Sequence, residues 1–144
     1  MASIKKFEDI NAWKEARELC KKISVYSNRP AFSMDTGLKK QVSDSSGSIM
    51  DNIAEGFERG GKKEFISFLG YAKGSAGELK SQLYRILDKG YINKSEFQES
   101  YDLADNIARM LSGLISYLKN CEHKGFKFHE DPEIYKTIKT KPKL

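Results

Sequence analysis

Residues 62–87 read KKEFISFLGYAKGSAGELKSQLYRIL, and their spacing decides the fold. Phe65, Leu69, Ala72, Ala76, Leu79, Leu83 and Leu87 recur every three or four positions, which is one face of a helix at about 100° per residue. Gly60-Gly61 before the segment and Lys89-Gly90 after it are stops, because glycine takes the left-handed backbone that closes a helix. On the opposite side runs a second stripe: Gly70, Gly74, Gly77 and Ser81. Each mid-helix glycine costs roughly 1 kcal/mol relative to alanine, and contact with water gives no reason to keep three of them. Small residues at this spacing let another backbone approach closely. Either this helix is central and packs on both faces within one chain, or the stripe is an interface between copies. With only four helices the first account is strained, so Gly70, Gly74, Gly77 and Ser81 are expected at an oligomer interface.

Outward from this segment the helical period continues. Between Asp9 and Ser27, the residues Ala12, Ala16, Leu19, Cys20, Ile23 and Tyr26 share one face. Asn28-Arg29-Pro30 ends that helix, since proline disfavours a helical residue before it, and a loop through Gly37 is expected. Leu38, Val42, Ile49, Ile53 and Phe57 form the stripe of a second helix. Asn93 followed by Glu96 reads as a capping box for a fourth, with Phe97, Tyr101, Ala104, Ala108, Leu111, Ile115 and Leu118 along one side. Four amphipathic helices with short connections from the second onward make an all-α, up-down-up-down four-helix bundle. The expected division is a bundle domain over residues 1–121 and an irregular, lysine-rich tail over 122–144.

Composition narrows the class. The chain has 144 residues, 39% of them hydrophobic, and a net charge of +5. That apolar share is too low for a membrane protein and too high for a disordered one. No run approaches the roughly 20 apolar residues of a membrane span. The opening residues MASIKKFEDINAW lack the apolar stretch of a signal peptide, so a cytoplasmic location is expected. Two cysteines, Cys20 and Cys121, are too few for a disulfide scaffold.

Catalytic and metal motifs fail one by one. Gly56 to Lys63 nearly spells a phosphate-binding loop, but Lys63 stands where Ser or Thr should hold magnesium, and a helix precedes it instead of a strand. Neither His123 nor His129 has the carboxylate three residues earlier that a di-iron bundle uses. Cys121, His123 and His129, with Cys20 as a distant fourth, lack the tight paired spacing of structural zinc sites, so Cys121 reads as helix core and the histidines as tail. Both cysteines fall on apolar faces, and no histidine on the helices is there to activate a serine. The expectation is no enzyme, no metal and no cofactor.

Charge is sorted by helix. Residues 1–30 and 61–90 each carry a net +3, while residues 31–60 carry −2. Lys14, Arg17 and Lys21 share the outer face of the first helix; Asp44, Asp51 and Glu55 occupy a narrow sector of the second; Lys62, Lys73 and Lys80 align along one edge of the third. Such stripes are commonly solvated faces, yet opposite stripes also meet across symmetric interfaces, where they set register. The turn of Arg59, Lys62 and Lys63 at a helix N-terminus is either a solvated loop or a phosphate contact.

Ser48-Ile49-Met50-Asp51-Asn52-Ile53-Ala54-Glu55-Gly56, followed by Arg59 and Lys63-Glu64-Phe65, resembles the signature of a bacterial four-helix-bundle family. Its members include proteins encoded in intervening sequences of 23S ribosomal RNA genes. Phe7-Glu8-Asp9 with Ala12-Trp13-Lys14, Gly74-Ser75 with Glu78-Leu79, and Gly90-Tyr91-Ile92 agree, so the resemblance spans about residues 5–120. The family is similar in fold to the accessory variability protein of diversity-generating retroelements, a five-fold barrel that binds a reverse transcriptase and RNA through a basic surface. The resemblance therefore implies a homopentameric ring without enzymatic activity, a non-enzymatic accessory protein binding structured RNA. The alternative is a scaffold that docks a protein partner such as a reverse transcriptase. One departure matters: where the family usually carries a basic pair, this chain has Gln41-Val42-Ser43-Asp44-Ser45, and Asp44 reverses the local charge. RNA contacts are accordingly expected at Lys14, Arg17, Lys21, Arg59, Lys62, Lys63, Lys73 and Lys80.

Overall fold

In the computed structural model, which describes residues 2–121 and 129–130, residues 62–87 lie in one helix, α4 (Lys62–Asp88), with both of its predicted ends. Gly60 enters at φ +86° and Gly90 leaves at φ +76°, the left-handed conformation that a side chain would oppose. Phe65, Leu69, Ala72, Ala76, Leu79 and Leu83 are fully buried along the inner face.

α1 (Asn11–Ser27) follows a 3-10 turn (Phe7–Asp9), and α3 (Thr36–Glu58) buries Leu38, Val42, Ile49, Ile53 and Phe57, all five residues of its predicted stripe. α5 (Lys94–Lys119) begins at the predicted capping box: Asn93 Oδ1 accepts the Glu96 N–H at 2.8 Å, and Glu96 accepts the Asn93 N–H at 3.0 Å. Its buried face is turned from the predicted one. Phe97, Ala104, Leu111 and Leu118 are inside, but Ile107, Met110 and Leu114 join them, while Tyr101, Ala108 and Ile115 stay half-buried. The reason is that α5 packs against both α4 and α1, so its apolar arc is wider than one stripe.

The expected loop through Gly37 is a helix instead. α2 (Pro30–Met34) starts on Pro30, whose missing N–H is no loss in a first turn, and α3 starts at Thr36 with Gly37 already inside it. Asp35 supplies the α3 cap, its Oδ1 accepting the Leu38 N–H at 3.3 Å. Buried Phe32 stacks on Tyr91, with ring centroids 4.8 Å apart. A polar clasp ties this connection to the α4–α5 turn. Arg29 forks onto both carboxylate oxygens of Glu96, and Asp35 Oδ2 accepts from Lys89 Nζ at 2.8 Å and from the Tyr91 hydroxyl at 2.9 Å.

Side-chain pairs give the helix order. Ser45 to Gln82 and Gln41 to Arg85 run antiparallel between α3 and α4, and Lys22 with Glu99 and Arg29, just past the end of α1, with Glu96 give the same sense for α1 and α5. α3 lies between α1 and α4, and α5 lies between them on the other side, so α1 and α4 occupy diagonal corners of an up-down-up-down bundle. β1 (Ala2–Ser3) pairs antiparallel with β2 (His129–Glu130), Ala2 opposite Glu130, so two residues of the segment read as an irregular tail are paired strand. The rest of 122–144, including His123, lies outside the described residues.

Candidate interaction surfaces

The eight cations singled out in the sequence do not form one surface. Lys14, Arg17 and Lys21 do share an exposed corner on α1, where Lys21 Nζ donates to Glu18 at 3.0 Å. Lys73 and Lys80 lie along the α5-facing edge of α4, at the diagonal corner. There Lys80 is half-buried, donating to Asp105 at 2.9 Å with its ammonium 5.3 Å from the Tyr101 ring centre, and Asp105 also accepts from Arg109 at 3.0 Å. At the α3–α4 turn, Arg59 pairs with Glu55 at 2.7 Å and lies over the Phe68 ring, and Lys62 donates to the Cys121 carbonyl. Lys14, Arg17, Lys63 and Lys73 have no ion-pair partner among the described residues. The α4 N-terminus has no side-chain cap, but the Glu64 carboxylate folds over it, standing 2.7 Å from where a Gly61 Cβ would be. A negative group therefore already faces the positive end of that helix dipole.

The small-residue stripe is bare. Gly70, Gly74, Gly77 and Ser81 are all exposed, and a Cβ placed on any of the three glycines would meet nothing within 4 Å. Among the described residues, then, this helix packs on its inner face and no other segment covers the stripe. Beside the stripe stand Tyr71 and Tyr84, 61% and 51% exposed, two large rings that the apolar period leaves out. Tyr71 rests on Phe68 and Tyr84 on Phe97 and Tyr101, so both are propped outward by aromatic neighbours. A tyrosine off the inner stripe of an otherwise patterned helix is the signal that could have found them.

The Ser48–Gly56 element, which the sequence marks without giving it a role, joins α3 to α4. Asn52 Nδ2 donates to the Ser48 carbonyl and hydroxyl, both at 2.8 Å, and Ser75 donates to Ser48 Oγ at 2.9 Å. Ser45 donates to Gln82 at 2.6 Å, both buried, and Arg85 to Gln41 at 2.8 Å. Asp44, Asp51 and Glu55 are exposed along one edge of α3, but Asp44 accepts from Lys40 at 2.7 Å and Glu55 from Arg59, so the predicted acidic stripe is largely paired within the helix. Between α3 and α4 lies a groove of about 260 Å³ lined by Gln41, Asp44, Ser45, Ser48, Glu78 and Gln82.

Cys20 borders a second groove, between α1 and α3, and its thiol donates to the Ser46 carbonyl at 3.2 Å while burial pushes its pKa up. Cys121 lies past the end of α5 and is half-buried, which corrects its reading as helix core: the helix stops at Lys119, and Asn120 caps it. Among the described residues no three His, Cys, Asp or Glu side chains are grouped to hold a metal, and no helix is long and apolar enough to cross a membrane.

Against known proteins, a family model described as 23S rRNA-intervening sequence protein matches residues 8–113. A crystal structure of a protein of unknown function from the S23 ribosomal protein family of Bacteroides thetaiotaomicron VPI-5482 is similar, with a TM-score of 0.66 and 21% identity, covering 73% of this chain and 95% of that chain. At that identity the likeness is one of fold. No curated protein matches the chain.

Proposed function

The chain belongs to the 23S rRNA-intervening sequence protein family, and we propose that it serves as a non-enzymatic accessory protein that self-associates through the outer face of α4 and holds structured RNA on the basic corner of α1. The observation that carries this reading is the diagonal placement of α1 and α4. A second copy seated on Gly70, Gly74, Gly77 and Ser81 leaves Lys14, Arg17 and Lys21 pointing away from the contact, so assembly and RNA capture do not compete. The family resemblance supports a ring of five as the form of that assembly. Repetition around a ring turns a weak site on each chain into useful avidity. The basic pair usual in the family is missing from α3, where Asp44 is instead paired with Lys40 at 2.7 Å, and this favours α1 over α3 as the RNA-facing helix. Cys20 offers no nucleophile against this reading, because burial raises its pKa and a protonated thiol is a poor nucleophile.

Two measurements test the two halves separately. Gly74→Leu with Gly77→Leu is expected to give a folded monomer by light scattering, and an unchanged mass would sink the α4 interface. Lys14→Gln, Arg17→Gln and Lys21→Gln together are expected to weaken binding of a structured RNA by about tenfold or more and to flatten its dependence on salt. RNA binding by the parent protein no tighter than that of an unrelated protein of equal pI would overturn the RNA half. A second reading, a scaffold docking a protein partner, draws on Tyr71 and Tyr84, since exposed tyrosines are enriched where proteins meet. It predicts a protein recovered with this chain after nuclease treatment and lost on Tyr71→Ala with Tyr84→Ala.

A further inference from the structure

We draw no further inference here: the strongest candidate, the outer face of α4 between the Tyr71 and Glu78 edge beside α3 and the Lys73 and Tyr84 edge beside α5, belongs to the surface already proposed for self-association, and nothing in the structure shows what covers it.

Discussion

Gly56 on α3 faces Phe68 on α4 so closely that a Cβ added to the glycine would stand 2.5 Å from the Phe68 Cβ and 3.2 Å from Phe65 Cδ1. The contact falls just before the turn between these helices, where their backbones converge. It gives the glycine of the Asn-Ile-Ala-Glu-Gly element a physical role, since only a residue without a side chain lets the two helices meet there.

Gly56→Ala is therefore expected to destabilise the protein. Overpacking of this kind costs about 1–3 kcal/mol, which outweighs the gain of roughly 1 kcal/mol from better helix propensity. Gly74→Ala is the matched contrast. With open space around that position within the chain, only the propensity gain remains at concentrations where the protein is monomeric, and stability there is expected to rise by up to about 1 kcal/mol. Urea midpoints of the two variants check the pair, and equal shifts in one direction would contradict the close contact.

Acid should loosen the clasp at the α2 end of the bundle. The Arg29 guanidinium, with help from the Asn93 N–H, holds the Glu96 carboxyl down at about 2, against its ordinary 4.5. Lys89 and Tyr91 likewise lower Asp35. A carboxyl whose folded-state pKa is depressed stabilises the fold above its unfolded value and loses that contribution as pH falls through the folded one. Stability should decline as pH drops from about 4.5 toward 2, and Glu96→Gln should show a shallower decline over that window. Parallel pH profiles of the two proteins would refute this role for Glu96.

Ser100 offers a stabilising substitution. Its hydroxyl is fully buried on α5 and finds no hydrogen-bond partner among the described residues. Such a group carries a desolvation penalty of about 1–3 kcal/mol, and alanine also favours a helix interior. Ser100→Ala is expected to raise stability by about 1 kcal/mol or more, visible as a higher midpoint in thermal or urea unfolding. A lower midpoint would mean the hydroxyl has a partner after all.

Screening by salt distinguishes the cations. Lys80 and Arg59 are already paired with Asp105 and Glu55, whereas Lys14 and Arg17 have no ion-pair partner among the described residues. If RNA is held on α1, Lys80→Gln should leave RNA affinity within about twofold of the parent, because a cation neutralised inside the protein releases few counterions. Losses of equal size from Lys80→Gln and Lys14→Gln in titrations at low salt would place the RNA elsewhere.

Much of this architecture is legible in the linear chain. The stripes of α1, α3 and α4, the glycine stops at Gly60 and Gly90 and the Asn93–Glu96 box are local features, written by residues within a turn or two of one another. Legibility ends where a distant segment intervenes. α2 escapes the linear pattern because the proline that ends α1 also suits the first turn of a new helix, and Phe32 finds its ring partner in Tyr91 across the bundle. The apolar arc of α5 is centred away from its predicted stripe because two neighbours, α1 and α4, press on it.

The candidate surfaces divide in the same way. Sequence alone determined that the third predicted helix carries a small-residue stripe opposite its core face, that the first is basic and that the second is acidic, since helical period places residues on a face whatever lies beyond. Only the tertiary structure decided that the stripe is bare, that Tyr71 and Tyr84 flank it, that Lys62, Lys80 and Arg59 are engaged within the chain, and that α1 and α4 stand at opposite corners. Periodicity specifies which way a side chain points from its own helix axis. Where that axis sits, and what the side chain then meets, depends on packing between residues far apart in the chain.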